Sequence, residues 1–307
     1  MQLQDLTEAL SHHMPPVLRW AGAMAKQLRR FDISVPGTKV SGSATTDALT
    51  LADLSVQELL VAALRDGDPM FRHCRLEAEE STGDLGRFAS DGDYTIALDP
   101  IDGTKHYRDH HGHGWCVVLN LRSVETVHYS LVYIPECGAQ GTWVEAVDGR
   151  IVCGEDDLNR PAPEVLRSLP SIDPAARPDS NNIYLGAFRQ DDLAQAERLT
   201  AWGLDGYTAE RMPGCLFELF ARGMFGGALM HTPNVYDFPV LLHMARILGG
   251  DALWVHHQEP VHFRSLWMDD RAEALRLPGI IACSAKQETL AALCALAKDW
   301  DPRRYRD

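Results

Sequence analysis

Apolar positions along the chain alternate between two periods, and the switch divides it. Residues 5–30 carry Leu, Val, Trp and Met at spacings that set one apolar face, which predicts a helix. The Pro15-Pro16 pair inside it is expected to break or kink that helix. A second helix is expected over 50–64, with Leu51, Leu54, Leu59 and Leu60 along one side. Residues 75–80 are strand-like and end in Glu79-Glu80; residues 94–98 form a compact apolar strand that runs into Asp99-Pro100. From 114 to 153 the pattern becomes that of consecutive strands, at 115–121, 126–134 and 142–147, with Asp148-Gly149 marking a hairpin before 150–152.

Residues 154–181 hold five prolines among Asp and Ser, the composition of a linker or long surface loop. Beyond it strands (182–188, 227–230, 280–283) alternate with helices (193–202, 214–222, 238–248 and 286–300). Meander first and alternation later predict an α/β protein whose N-terminal half, 1–155, is α+β. Residues 156–181 would link it to an α/β half, 182–307, that closes the site.

Composition narrows the class. Apolar residues make up 45% and charged residues 23% of 307, an ordinary globular balance with enough chain to bury a large core. Lys and Arg number 29 against 43 Asp and Glu, a formal net charge of −14 that disfavours binding to a nucleic-acid polymer. It leaves room for a small anion, because bound divalent cations invert a local potential. No apolar run reaches the ~20 residues of a membrane span. The first residues lack the basic and apolar regions of a signal peptide. Seven cysteines, none in a CxxC pair, point to a reducing, cytoplasmic setting.

Four acidic segments carry the candidate chemistry. Asp99-Pro100-Ile101-Asp102-Gly103-Thr104 follows an apolar strand. Its two carboxylates, with the Ile101 carbonyl between them, can converge on a hard cation such as Mg²⁺. Gly103 and Thr104 supply backbone N–H groups for an anion. The alternative is an Asx-turn closing the strand. Glu79-Glu80 would complete a multi-metal site, or be two solvated loop carboxylates. Asp237 would bring a carboxylate from a distant segment, or cap the helix that Pro239 opens. Asp47 to Asp53 admits the same two readings.

In this order the four segments resemble the inositol monophosphatase family of Mg²⁺-dependent, Li⁺-sensitive phosphatases. The resemblance rests on Glu79-Glu80-Ser81, Asp99 to Thr104, Tyr236-Asp237 in place of a Trp-Asp motif, and the upstream Asp47 to Asp53 stretch. It spans roughly residues 40–250. It implies a layered α-β-α-β-α sandwich and a homodimer that hydrolyses a small phosphate ester by direct attack of a metal-activated water, with two to three Mg²⁺ per site. Glu79, Asp99 and the Ile101 carbonyl would hold one metal, and Asp99, Asp102 and Asp237 a second. Glu80 would assist a third through water. Thr104, hydrogen-bonded to Asp53, would orient the attacking water, and the Gly103 and Thr104 amides would hold phosphate.

The substrate side departs from the family. Met230 stands where inositol phosphatases carry a carboxylate seven residues before the Asp, and a thioether cannot accept two hydroxyls as a carboxylate does. Gly214-Cys215-Leu216-Phe217 replaces the family's Gly-Ser-Ala-Ala, and Phe238-Pro239 its small residues. Lys105 directly after Asp-Gly-Thr is similar to the 3′-phosphoadenosine 5′-phosphate phosphatases of the same superfamily, and is equally readable as a loop lysine. His106, His110, His111 and His113 match no standard metal spacing and read as a surface loop. A haloacid-dehalogenase-type Asp nucleophile fits poorly, since the two Asp are three apart. A non-catalytic metal- or phosphate-binding relative is the alternative from another class.

Overall fold

The computed structural model describes residues 2–31, 33, 49–110, 114–188 and 192–305. Asp47, His111 and His113 lie outside them. Helix α1 (Leu3–Arg29) buries Leu6, Leu10, Met14, Leu18, Ala21 and Ala25 on one stripe. It runs through Pro15-Pro16 as one helix, against the expected break. Each Pro removes one intrahelical donor, at up to about 3 kcal/mol. Continuous burial on both sides of the pair offsets this, since Leu10 and Met14 before it and Leu18 after it are fully buried. Helix α2 (Leu51–Gly67) starts on a capping box between Thr50 and Asp53.

These helices cover one face of a six-stranded sheet of order β1 to β6: β1 (Arg75–Ala78), β2 (Thr95–Asp102), β3 (Cys116–Arg122), β4 (Val127–Ile134), β5 (Thr142–Val147) and β6 (Arg150–Glu155). β1 and β2 are parallel and the other pairs antiparallel. The Asp148-Gly149 hairpin is present, with Val147 opposite Arg150 and both turn residues at positive φ (50° and 73°). Helix α3 (Thr104–Arg108) follows β2. The Pro-rich stretch expected as linker or surface loop holds helix α4 (Ala162–Ser168), whose Ala162, Val165 and Leu166 join the core under α1. Pro161 and Pro163 suit a helix start, which composition alone does not distinguish from a loop.

A second sheet of order β10-β13-β9-β7-β8 is formed by β7 (Asn182–Gly186), β8 (Asp205–Thr208), β9 (Gly227–His231), β10 (Asp251–Trp254) and β13 (Ile280–Ser284). A small hairpin, β11 (Trp267–Asp269) with β12 (Ala274–Arg276), lies before β13. Helices α6 (Leu216–Ala221) and α7 (Phe238–Ile247) pack between the sheets, in a core shared by Val118, Val132 and Val144 of the first and Ala228, Met230 and Ile281 of the second. Helices α5 (Asp192–Thr200) and α8 (Gln287–Ala297) cover the outer face, where Ile183, Leu185 and Leu229 meet Leu199, Leu290 and Leu293. The alternation of Leu229 and Met230 between two cores is the period-2 pattern of a strand buried on both faces. The layers are therefore α-β-α-β-α, a mixed α/β fold. Among the described residues no helix is long and apolar enough to cross a membrane.

Candidate functional site

A bulge in β2 creates the site. Asp99 pairs with Val118 and Asp102 with Cys116, so three residues of β2 span two of β3. In a regular strand, carboxylates three apart would face opposite sides of the sheet. The extra residue in the Pro100-Ile101 step, where Pro100 has no N–H and the Ile101 N–H turns to Asp99, restores both to one side. The chain enters the second half's α7 beside them, and carboxylate oxygens of Asp99, Asp102 and Asp237 all lie within 4.8 Å of one another. Glu79 extends β1 alongside, its N–H donating to Leu98 O at 3.2 Å, and its carboxyl is hydrogen-bonded to that of Asp99. Asp99 also closes the expected Asx-turn, accepting from Ile101 N at 3.1 Å. The local turn and the convergence of carboxylates thus coexist.

Asp53 combines roles in the same way. Its Oδ2 accepts from Thr50 N (2.7 Å) and Thr50 Oγ1 (2.6 Å), and its Oδ1 faces Thr104 Oγ1 at 3.2 Å. The Thr104 hydroxyl also reaches Ile101 O at 2.9 Å. Gly103 adopts φ 83°, and a Cβ there would stand 2.7 Å from Gly114 O, so the turn between β2 and α3 requires glycine. The Gly103 amide is directed at the Asp102 carboxylate.

Asp237 does not cap its helix by its side chain, and its Oδ1 is buried without a hydrogen-bond partner among the described residues. Its backbone is held instead. Asn234 Oδ1 accepts from the amides of Tyr236 (2.9 Å) and Asp237 (3.0 Å), and Asn120 of β3 donates to Tyr236 O at 2.8 Å. Tyr236 accepts from Leu275 N through its hydroxyl at 3.0 Å.

The electrostatics follow from burial. Asp53 is pushed up to about 7, first by burial and then by Glu79 and Glu80, against the Thr50 hydrogen bonds. Asp102 is pushed up to about 6, chiefly by burial; Asp99 is held well above the usual carboxylate range by burial and then by Glu79, Asp102 and Asp237, and Asp237 by burial and then by Asp102 and Glu79. Convergent carboxylates, Asp99 buried and Asp102 and Asp237 half-buried, with an orphaned oxygen on Asp237 among the described residues, leave a concentration of negative charge that a cation would compensate. The donors are all oxygens, the set that suits a hard divalent ion such as Mg²⁺.

Other expected site residues lie around this core. Glu80 is buried, its N–H donating to Gln57 Oε1 at 2.9 Å. Lys105 is paired with Asp109 (3.7 Å) and Glu210 (3.8 Å). Gly214 O lies beside Gly114. Cys215 is buried with its thiol 3.6 Å from Cys116, and Met230 is buried opposite Gly186.

Several residues that hold the site were not apparent in the sequence. Gln57 of α2, fully buried, also donates to Glu80 O (2.6 Å) and Thr82 O (2.7 Å) and so fixes the acidic turn. An amide four residues after Asp53 on one helix face was the available signal. Arg29 donates to Tyr107 O (2.7 Å) and His106 O (2.9 Å), satisfying carbonyls of α3, and pairs with Glu136. Asn120 and Asn234 left no signal beyond a polar residue in an apolar strand and an Asn before the Tyr-Asp pair.

Comparisons with known proteins bear on the family and the fold. Residues 15–172, just over half of the chain, match the sequence model of the inositol monophosphatase family. No curated protein matches the chain at a significant level. Among solved structures, inositol monophosphatase from Anabaena (Nostoc) sp. PCC 7120 is similar at 16% identity and TM-score 0.63, covering 98% of each chain. CysQ from Bacteroides thetaiotaomicron, a bacterial member of the inositol monophosphatase family, is similar at 17% identity and TM-score 0.62, over 93% of this chain and 99% of its own. An IMPase/NADP phosphatase complexed with NADP and Ca²⁺ is similar at 16% identity and TM-score 0.66 over the whole of both chains. Likeness at these identities concerns the fold.

Proposed function

The chain belongs to the inositol monophosphatase family, and from that premise we propose that it is a Mg²⁺-dependent phosphomonoesterase acting on a small phosphorylated metabolite. The observation that carries this reading is the convergence of Asp99, Asp102 and Asp237, with the orphaned oxygen of Asp237, beside the Asp53–Thr104 pair. Glu79, Asp99, the Ile101 carbonyl, Asp102 and Asp237 would hold the metal ions, with Glu80 assisting. When bound, Mg²⁺ supplies Lewis acidity, which neutralises phosphoryl charge and makes water more acidic.

The chain's own residues do the rest. Thr104 Oγ1 has one proton and two acceptors in reach, Ile101 O and Asp53 Oδ1. The Ile101 carbonyl is one of the groups that would hold a cation, and Asp53 Oδ1 is the acceptor that would then remain for that proton. The hydroxyl's lone pairs then accept from water and orient it. As the water oxygen bonds to phosphorus and the ester P–O bond breaks, the water proton passes to Thr104 and the Thr104 proton to the ionised Asp53 carboxylate, while the leaving oxygen takes a proton from solvent. The Thr104 amide, at the start of α3, would hold a phosphoryl oxygen, whereas the Gly103 amide expected beside it is directed at the Asp102 carboxylate. Met230 in place of a carboxylate argues for a substrate that does not rely on paired hydroxyls for recognition.

A 3′-phosphoadenosine 5′-phosphate type of substrate is the second reading. Lys105 beside the site and the relative complexed with NADP favour it. The test is phosphate release from inositol 1-phosphate, 3′-phosphoadenosine 5′-phosphate, fructose 1,6-bisphosphate and histidinol phosphate at saturating Mg²⁺, with and without Li⁺. One preferred, Li⁺-suppressed substrate is expected. Mg²⁺ binding without turnover of any compound would favour a binding-only relative.

A further inference from the structure

The stretch that carries Asp237 into the carboxylate cluster begins on a strained residue. Thr232, just past β9, is buried and has φ 47°. For a β-branched side chain that left-handed conformation is costly, and it persists only where the surroundings fix it. Three groups do so. The Thr232 N–H donates to Gly279 O at 2.7 Å, and Arg276 Nη1 donates to Thr232 O at 3.1 Å. Arg304 Nη1 donates to Thr232 Oγ1 at 2.9 Å and to His231 O at 3.3 Å.

Both arginines converge on one carboxylate. Asp269 of β11 is fully buried, and its Oδ2 accepts from Arg276 Nε at 2.9 Å and lies 3.0 Å from Arg304 Nε. The Tyr305 hydroxyl stands 2.8 and 2.9 Å from its two oxygens. Charge-assisted bonds of this kind are the strong ones, and burial of both arginines keeps water from replacing them. Arg276 carries this order towards Asp237, because β12 runs beside the stretch. Leu277 N donates to Pro233 O (2.9 Å), Val235 N to Leu275 O (3.1 Å) and Leu275 N to the Tyr236 hydroxyl (3.0 Å). Asn234 Oδ1 then holds the amides of Tyr236 and Asp237.

We propose that Arg304 is a positioning residue for Asp237. With Asp269 and Arg276 it clamps the Thr232 turn, and so sets where the Asp237 carboxylate enters the cluster. It acts through Thr232. This role rests on the reading of Asp99, Asp102 and Asp237 as the cation site.

The test needs no turnover. Mn²⁺, a hard cation that suits the same oxygen donors, is titrated into the full metal-free chain while the electron paramagnetic resonance of the free ion is followed. Asp237→Asn marks the affinity that Asp237 supplies. Residues that orient a ligand are worth about 10–100-fold in metal affinity, so Arg304→Met should weaken that Mn²⁺ by about tenfold. Arg304→Lys keeps a donor and the charge and should recover most of the loss. Gly22→Ala, destabilised at the contact of α1 with Tyr133 and Pro135, should bind Mn²⁺ as the wild type does. That control separates positioning from a general loss of stability. Where Arg304→Met does not fold, Tyr305→Phe decides, since it takes only a hydroxyl from Asp269; a smaller loss in the same direction is expected. Wild-type affinity in the deciding variant, or an equal loss in Gly22→Ala, overturns the proposal while leaving the cation site in place. Wild-type affinity in Asp237→Asn removes the cation-site reading itself, and the role of Arg304 falls with it.

Discussion

Asp102→Asn should stabilise the metal-free protein and disable the metal-loaded one. Burial above all pushes Asp102 from 3.8 up to about 6. A rise of about two units costs folding about 3 kcal/mol at pH 7, at about 1.4 kcal/mol per unit. The sign follows from the direction. A carboxyl raised in the folded state contributes its full stability below about pH 4 and loses it as pH rises through about 6. Asparagine does not ionise and escapes that loss. It accepts more weakly from the Cys116 thiol and the Gly103 amide, which takes back about 1 kcal/mol. The net is about 2 kcal/mol. Over 307 residues at about 2 cal/mol/K each, the unfolding entropy is about 0.6 kcal/mol/K, so Tm should rise by about 3 °C. Scanning calorimetry in EDTA from pH 4 to 8 reads this directly, with a flatter pH profile in the variant. With Mg²⁺ the order should reverse, because the wild type gains ligand-linked stability that the variant lacks. A variant that melts below the wild type in EDTA at pH 7 would refute the account of mutually repelling, desolvated carboxylates.

Other consequences are accessible to the same methods. Thr104→Val should lower kcat by about a hundredfold or more with little change in KM, and Thr104→Ser should retain most of it; equal loss in both would remove the proton-relay role. Burial lowers His231 to about 4 and His243 to about 3. Groups lowered in the folded state stabilise fully above about pH 6.5 and lose that contribution as pH falls, by roughly 3 kcal/mol for His231 at pH 4. Urea midpoints at pH 7 and 5 should therefore fall less in His231→Asn than in the wild type, and parallel falls would contradict this. Gly22→Ala would set a Cβ 2.6 Å from Pro135 Cγ and 2.7 Å from Tyr133, lowering stability by about 1–3 kcal/mol in urea unfolding. An unchanged midpoint would deny the close approach of α1 to the sheet.

Much of the architecture was legible because strands buried on both faces, such as Gly227–His231, and helices with one apolar stripe, such as α1, announce their periods. What escaped was decided by packing. Pro15-Pro16 continues a helix that local preference would end, and α4 forms where composition indicates a loop, because each buries apolar side chains against the first sheet. Strands β8, β10, β11 and β12 are three or four residues long and too short to show alternation. The candidate site divides in the same way. Carboxylates in short motifs could be read directly, but the β2 bulge that turns Asp99 and Asp102 to one side is a property of pairing with β3. Gln57, Asn120 and Cys116 gain their roles from contacts 23, 116 and 14 positions away in sequence, which no local pattern reveals.

Phosphate release from the preferred substrate, with Mg²⁺ and with EDTA, in wild type and Asp237→Asn, tests the central claim most directly. Among the described residues, Asp237 is the one that the sequence beyond the second sheet's β9 brings into the carboxylate cluster. Turnover that requires Mg²⁺, is abolished by EDTA and nearly vanishes in a folded Asp237→Asn protein is the outcome the account predicts. Turnover that persists in EDTA, or that Asp237→Asn leaves intact, would contradict it.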